Sequence, residues 1–138
     1  MKISTKGRYA LRMLVDLAEN QKEGYLSLNE IAERQSISKK YLEQIVPMLT
    51  KAGLLRTNRG NKGGYRLNAD PDKCTVGDIL RATEGSLAPV ACLEYEVNDC
   101  PRIKECNTLY IWEEYYRLTK EYFDGITITD IVNHGTME

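Results

Sequence analysis

Apolar residues recur at three- and four-residue spacing over residues 4–20, STKGRYALRMLVDLAEN. Leu11, Leu14, Val15 and Ala18 share one face, the pattern of an amphipathic helix, and Ser4 or Thr5 can cap it. After a loop around Gly24, SLNEIAERQ opens a short helix in which Ser27 and Glu30 have capping-box spacing. Gln35 and Ser36 make a tight turn. The run SKKYLEQIVPMLTKAGLL then carries Leu42, Ile45, Val46 and Leu49 on one face. Ser38 caps this third helix and Gly53 ends it. Pro47 removes a backbone hydrogen bond inside it, so a kink is expected near residues 43–47.

At residue 54 the period changes from helical to alternating. Leu54, Leu55 and Thr57 read as a strand, and Tyr65 and Leu67 as its return partner, with RGNKGG as the tip between them. A short capped helix, a turn, a longer helix and a basic hairpin predict a winged helix-turn-helix. Next, TVGDILRATEG is a short helix capped by Thr75, with Asp78 three residues on and Gly85 at its end. Residues 107–123, NTLYIWEEYYRLTKEYF, form the most aromatic helix. Leu109, Trp112, Tyr116, Thr119 and Phe123 step by three and four along it, which is coiled-coil spacing. Gly125 stops it, and TITDIVNH makes a last short helix capped by Thr127 or Thr129. The expected fold is mainly α with a small β-hairpin wing: a winged helix-turn-helix DNA-binding domain plus a long dimerisation helix. The expected divisions are residues 1–85 for DNA binding, 86–106 for a cysteine-containing loop, and 107–138 for the dimerisation and C-terminal helices.

Composition alters this picture in one respect. The chain has 138 residues and a formal net charge of −1, but the charge is segregated. Residues 1–68 hold 13 Lys and Arg against 6 Asp and Glu, a net +7, and residues 69–138 hold 6 against 14, a net −8. Such asymmetry points to one half that faces nucleic acid and another with a different task. No apolar run approaches the ~20 residues needed to cross a bilayer, so no membrane association is expected. The opening MKISTKGRYALRML lacks the apolar stretch and small-residue cleavage site of a signal peptide, and the expected location is cytoplasmic. No Ser/His/Asp constellation, phosphate loop or HExxH motif supports an enzyme. The +7 half also argues against a module that binds only proteins.

In a helix-turn-helix the second helix enters the major groove with its first residues nearest the base edges. Here these are Ser38, Lys39, Lys40, Tyr41, Glu43 and Gln44. The lysines suit phosphates or guanine, Gln44 suits adenine, and Glu43 can accept from the cytosine amino group. At the wing tip, Arg59 and Lys62 supply charge, and Gly60, Gly63 and Gly64 allow the backbone to approach the duplex closely. The expected partner is a double-stranded DNA operator.

The remaining candidate chemistry lies in CLEYEVNDCPRIKEC, where Cys92, Cys100 and Cys106 are spaced C-x7-C-x5-C. Structural zinc sites usually use short C-x2–4-C pairs, and none occurs here. In a reducing compartment, clustered thiols indicate metal or redox chemistry rather than a disulfide framework. An iron–sulfur cluster, with irons that favour thiolate, fits three cysteines on an irregular loop. A thiol redox switch or another metal is the alternative. Cys74 reads as a small buried residue and His134 as a solvated one.

The segments STKGRYALRMLVDLA, SLNEIAERQSISKKYLEQIVPMLTKAGLL, RGNKGGYRL and TVGDILRATEG resemble the Rrf-type bacterial winged helix-turn-helix transcriptional regulators, and in particular their iron–sulfur cluster regulator (IscR)-like members. The resemblance covers nearly the whole chain. It implies base readout by Glu43 and Gln44, minor-groove entry by Arg59, and a homodimer joined through the long helix. It also implies an iron–sulfur cluster on Cys92, Cys100 and Cys106, with [2Fe–2S] favoured over [4Fe–4S]. One position departs from the pattern: the resembled regulator has a histidine three residues after the third cysteine, where this chain has Leu109. The fourth ligand therefore falls to Glu94, Glu96, Asp99, Glu105, Cys74, a partner-subunit group or solvent.

Overall fold

The computed structural model describes residues 2–20, 24–60 and 63–136. The described part is mainly helical, with one two-stranded antiparallel hairpin. In chain order the elements are α1 (Thr5–Asn20), α2 (Leu28–Gln35), α3 (Lys39–Lys51), β1 (Leu55–Asn58), β2 (Gly64–Leu67), α4 (Val76–Glu84), α5 (Leu109–Asp124) and α6 (Ile128–Thr136), with a 3₁₀ turn at Ala91–Leu93.

Local chemistry sets the helix starts. Ser4 Oγ accepts from the Gly7 amide at the start of α1, and Ser38 Oγ accepts from the Tyr41 amide at the start of α3. Ser27 with Glu30 and Thr75 with Asp78 close reciprocal capping boxes on α2 and α4. Thr127 with Asp130 makes the same pair of bonds at α6. Each satisfies amide donors that a helix start leaves unpaired, typically worth ~1 kcal/mol. In the turn between α2 and α3, Ser36 takes a left-handed conformation at φ 54°. Its amide and that of Ile37 bond back to α2 carbonyls. Helix α3 runs unbroken through Pro47 and ends where the Leu54 amide bonds back to the Leu49 carbonyl.

The core lies where α1, α2 and α3 meet. Met13, Leu14, Leu17, Ile31, Leu42, Ile45 and Leu49 are fully buried there, and Leu55 and Leu67, paired across the hairpin, close it from the wing side. One charge is buried beside it. Asp16 is 1% exposed, and its carboxylate accepts from Arg34 Nε, from an Arg34 terminal nitrogen at 2.6 Å and from Gln35 Nε2 at 2.9 Å. Arg12 extends the network, donating to the Gln35 side chain and carbonyl while its guanidinium lies over the Tyr9 ring. Tyr9 in turn meets Tyr41 of α3 edge to face, with centroids 5.2 Å apart. These contacts fix α1, the turn and the start of α3 as one unit.

The C-terminal part folds back onto this unit. The Val76 amide donates to the Ile126 carbonyl and the Ile128 amide to the Cys74 carbonyl, and Ile128 is fully buried in the main core. Arg81 of α4 pairs with Asp124 of α5 at 2.8 Å. Gly77 makes the close approach possible, because a Cβ there would lie 1.9 Å from Asp124 Oδ1.

Helix α5 divides its apolar residues between two directions. Tyr116 and Phe123, from the stripe expected to face a partner, pack on Val76, Leu80 and Leu87 of the same chain. The apolar face left open is carried mainly by Tyr110, Ile111, Tyr115, Leu118 and Tyr122, with Tyr110 69% and Tyr122 66% exposed. Spacing did not separate the two faces, because this helix is apolar on both.

Candidate nucleic-acid interface and cysteine loop

The capped start of α3 presents its first turns outward. Ser38, Lys39, Lys40, Glu43 and Gln44 are exposed, while Tyr41 is half-buried against Tyr9. Between α3 and the hairpin runs a groove of about 900 Å³. Its α3 wall includes Lys39, Glu43, Thr50 and Lys51, and its hairpin wall Thr57, Asn58, Arg59 and Tyr65. The fold thus brings Lys39 and Glu43 opposite Arg59. Lys40 and Gln44 stand exposed on α3 without lining this groove. Gly60 is exposed at the wing tip, and Lys62 lies outside the described residues.

Sequence spacing did not mark Thr50, Lys51, Thr57, Asn58 or Tyr65 as groove residues, because the groove exists only once the hairpin folds against α3. Gly64, expected to let the backbone approach the duplex, has a structural duty. It is buried, and a Cβ there would lie 2.4 Å from the Leu26 carbonyl oxygen. Next to it, Tyr65 and Leu26 exchange backbone bonds of 2.7 and 2.9 Å. The glycine therefore lets the segment before α2 dock along the wing.

The four cysteines divide into two environments. Cys74 is 4% exposed within the main core, and burial, with a smaller contribution from nearby Asp78, pushes its thiol up to about 11. Cys92, Cys100 and Cys106 are free and half-buried on the segment between α4 and α5. The Cys106 thiol is held below its ordinary value by the Thr108 hydroxyl, 3.5 Å away, and by the amides that begin α5. His134 is exposed on α6.

In donor type, three free thiols on one segment fit an iron–sulfur unit. Their placement is open: among the described residues no group of three or more His, Cys, Asp or Glu side chains is gathered to hold a metal ion. The segment is held mainly by short-range bonds, such as Ile103 amide to Cys100 carbonyl and Glu105 amide to Arg102 carbonyl. Little buried apolar surface resists its closing.

Comparison with known proteins agrees with this architecture. The Rrf2 profile, described as an iron-dependent transcriptional regulator, matches residues 3–134. The chain belongs to the Rrf2 family of transcriptional regulators. It is similar to the HTH-type transcriptional regulator CymR of Bacillus subtilis, at 42% identity over 97% of this chain and 91% of that one. The solved structure of the B. subtilis protein, described as the global cysteine regulator, covers 97% of this chain and 98% of its own at 39% identity, with a TM-score of 0.78. The HTH-type transcriptional regulator IscR of Aliivibrio salmonicida is 37% identical over 96% of this chain and 77% of its own. The Rrf2 chain is thus a winged-helix regulator and not an enzyme. Among its described residues no helix is long and apolar enough to cross a membrane.

Proposed function

We propose that this Rrf2 regulator acts in the cytoplasm as a homodimer that binds an operator duplex through α3 and the wing. An iron–sulfur cluster on Cys92, Cys100 and Cys106 sets its affinity, with [2Fe–2S] favoured over [4Fe–4S]. The observation that carries this reading is the division of the cysteines: three free thiols share the segment joining the DNA-binding unit to α5, and the fourth is buried. The similarity to IscR proteins supports the cluster.

When bound, a cluster would supply a cross-link of the segment that is sensitive to iron supply and to oxidants. The chain's own residues then transmit its state. The segment begins at Gly85, beside Glu84, whose carboxylate accepts from the Ser4 amide at 2.9 Å and anchors the start of α1. It ends at the start of α5, a helix whose far end Arg81 and Asp124 tether to α4. A ligand that binds one arrangement of these elements better shifts the population toward it, and DNA affinity with it. The face of Tyr110, Ile111, Tyr115, Leu118 and Tyr122 is the dimer contact in this reading. Lys39, Lys40 and Arg59 meet phosphate or groove edges, and Glu43 and Gln44 read bases.

The test is purification without oxygen, followed by absorbance and iron and sulfide assays on the wild type and the four single Cys→Ser variants. Colour lost in Cys92, Cys100 and Cys106 variants but kept in Cys74→Ser bears the reading out. Stoichiometric zinc without sulfide, or full occupancy in Cys100→Ser, overturns it. A second reading keeps DNA binding and makes the loop thiols a redox switch. The ungathered, accessible state of the three thiols favours it, and an iron-free protein whose DNA affinity changes on reversible thiol oxidation would establish it.

A further inference from the structure

The hairpin carries a second arginine site that the groove does not use. Arg56 and Arg66 are direct cross-strand partners, flanked by the Leu55–Leu67 pair that points into the core. Alternation along the strands therefore sends both guanidinium groups to the opposite, exposed face. Like charges directly opposite on an antiparallel pair are destabilising. The sequence around the hairpin supplies no acid to relieve the repulsion. Residues 44–69 contain five Lys and Arg and no Asp or Glu. Among the described residues, neither Arg56 nor Arg66 forms an ion pair with a carboxylate. Arg56 is oriented instead by a neutral group, donating to Asn68 Oδ1 at 3.1 Å, and Asn68 is itself anchored to the Gly53 carbonyl at 2.9 Å.

We infer that Arg56 and Arg66 together form a phosphate clamp for the duplex flanking the operator, outside the groove between α3 and the wing. This rests on the DNA-binding reading above and extends its footprint. The ribbon that carries Arg59 toward DNA also carries this pair; Arg66 is two residues behind Gly64, roughly 7 Å along the strand. A phosphate between the two guanidinium groups removes their repulsion and makes charge-assisted bonds with both. Because phosphates carry no base identity, the clamp adds affinity and reach without changing the sequence preferred.

The experiment uses the full chain and a duplex sequence that the wild type selects from a randomised pool. That sequence is placed in a duplex with more than one helical turn of flank on each side, and in one cut back to the selected site. On the long duplex at low salt, the Arg56→Gln/Arg66→Gln variant should bind about tenfold more weakly, with a salt slope shallower by about 0.9 for each phosphate no longer neutralised. Its ranking of mutated sites should match the wild type, and the gap between the two proteins should close on the trimmed duplex. Arg66→Glu, which replaces repulsion by a cross-strand ion pair, should melt no lower than the wild type yet bind the long duplex still more weakly. Wild-type affinity and salt slope in the double Gln variant, or an unchanged gap on the trimmed duplex, would overturn the clamp and leave the regulator reading intact. A wild-type protein that selects no duplex would overturn both.

Discussion

Arg34→Met should destabilise the protein more than Asp16→Leu, and the double variant should recover much of the loss. Removing the guanidinium leaves a carboxylate that is 1% exposed, with Gln35 Nε2 as its remaining donor among the described residues. Breaking a fully buried ion pair in this way costs about 3–5 kcal/mol. The Arg34 side chain is 36% exposed, so water can reach part of the vacated site, and the expected cost is discounted to about 2–3 kcal/mol. Asp16→Leu leaves the partly exposed cation instead, which can turn toward solvent, and should cost about 1–2 kcal/mol. The double replacement leaves neither charge unpaired, so it should be about 1.5 kcal/mol or more better than the sum of the single variants. Urea unfolding at fixed protein concentration reads this cycle, with concentration fixed because the stability of the proposed dimer would depend on it. Additive losses, or an Arg34→Met cost below about 1 kcal/mol, would refute the argument that an unpaired buried carboxylate is the destabilising element.

The other predictions address the interface, the thiols and the open face. Glu43→Ala should alter which base is preferred at one operator position by about 1–3 kcal/mol, read by competition among mutated duplexes; unchanged preference would make Glu43 an ordinary surface residue. Iodoacetamide at neutral pH should label Cys92, Cys100 and Cys106 in the native metal-free protein, and Cys74 only after urea, because Cys74 is 4% exposed and the same burial disfavours its thiolate. Intact mass should therefore show three adducts before unfolding and four after it. The same thiol gives a pH signature. Its folded-state value lies above the unfolded one, so its contribution to stability is present at neutral pH and falls as pH rises past the unfolded value toward about 11. Cys74→Ala should flatten that part of the curve. Tyr115→Glu with Leu118→Glu should give a monomer by sedimentation and weaken operator binding while leaving helix content unchanged, since both side chains are about half exposed and neither belongs to the buried core.

The sequence by itself determined the features whose partners lie within a few residues. Ser27 with Glu30, Thr75 with Asp78 and the Ser38 cap are visible as spacings because a helix start is satisfied within one turn. The change from period four to period two after Leu54 located the hairpin for the same reason, and the acid-free wing located its charge. The candidate base-reading positions followed once α3 was the second helix of the turn, and the cysteine loop followed from residue type. Tertiary structure decided what depends on distant contacts. Asp16 looks like a surface acid until Arg34 and Gln35 of the next helix close over it. On α5, apolar on two sides, only contact with Val76, Leu80 and Leu87 decides that Tyr116 and Phe123 turn inward and Tyr115, Leu118 and Tyr122 outward. Gly64 shows its need for a bare Cα only when the Leu26 carbonyl reaches it. Arg56 and Arg66 become a pair only through the strand register. Local hydrogen bonds are written in the order of neighbouring residues, but burial and register are set by whichever distant surface the chain meets when it folds.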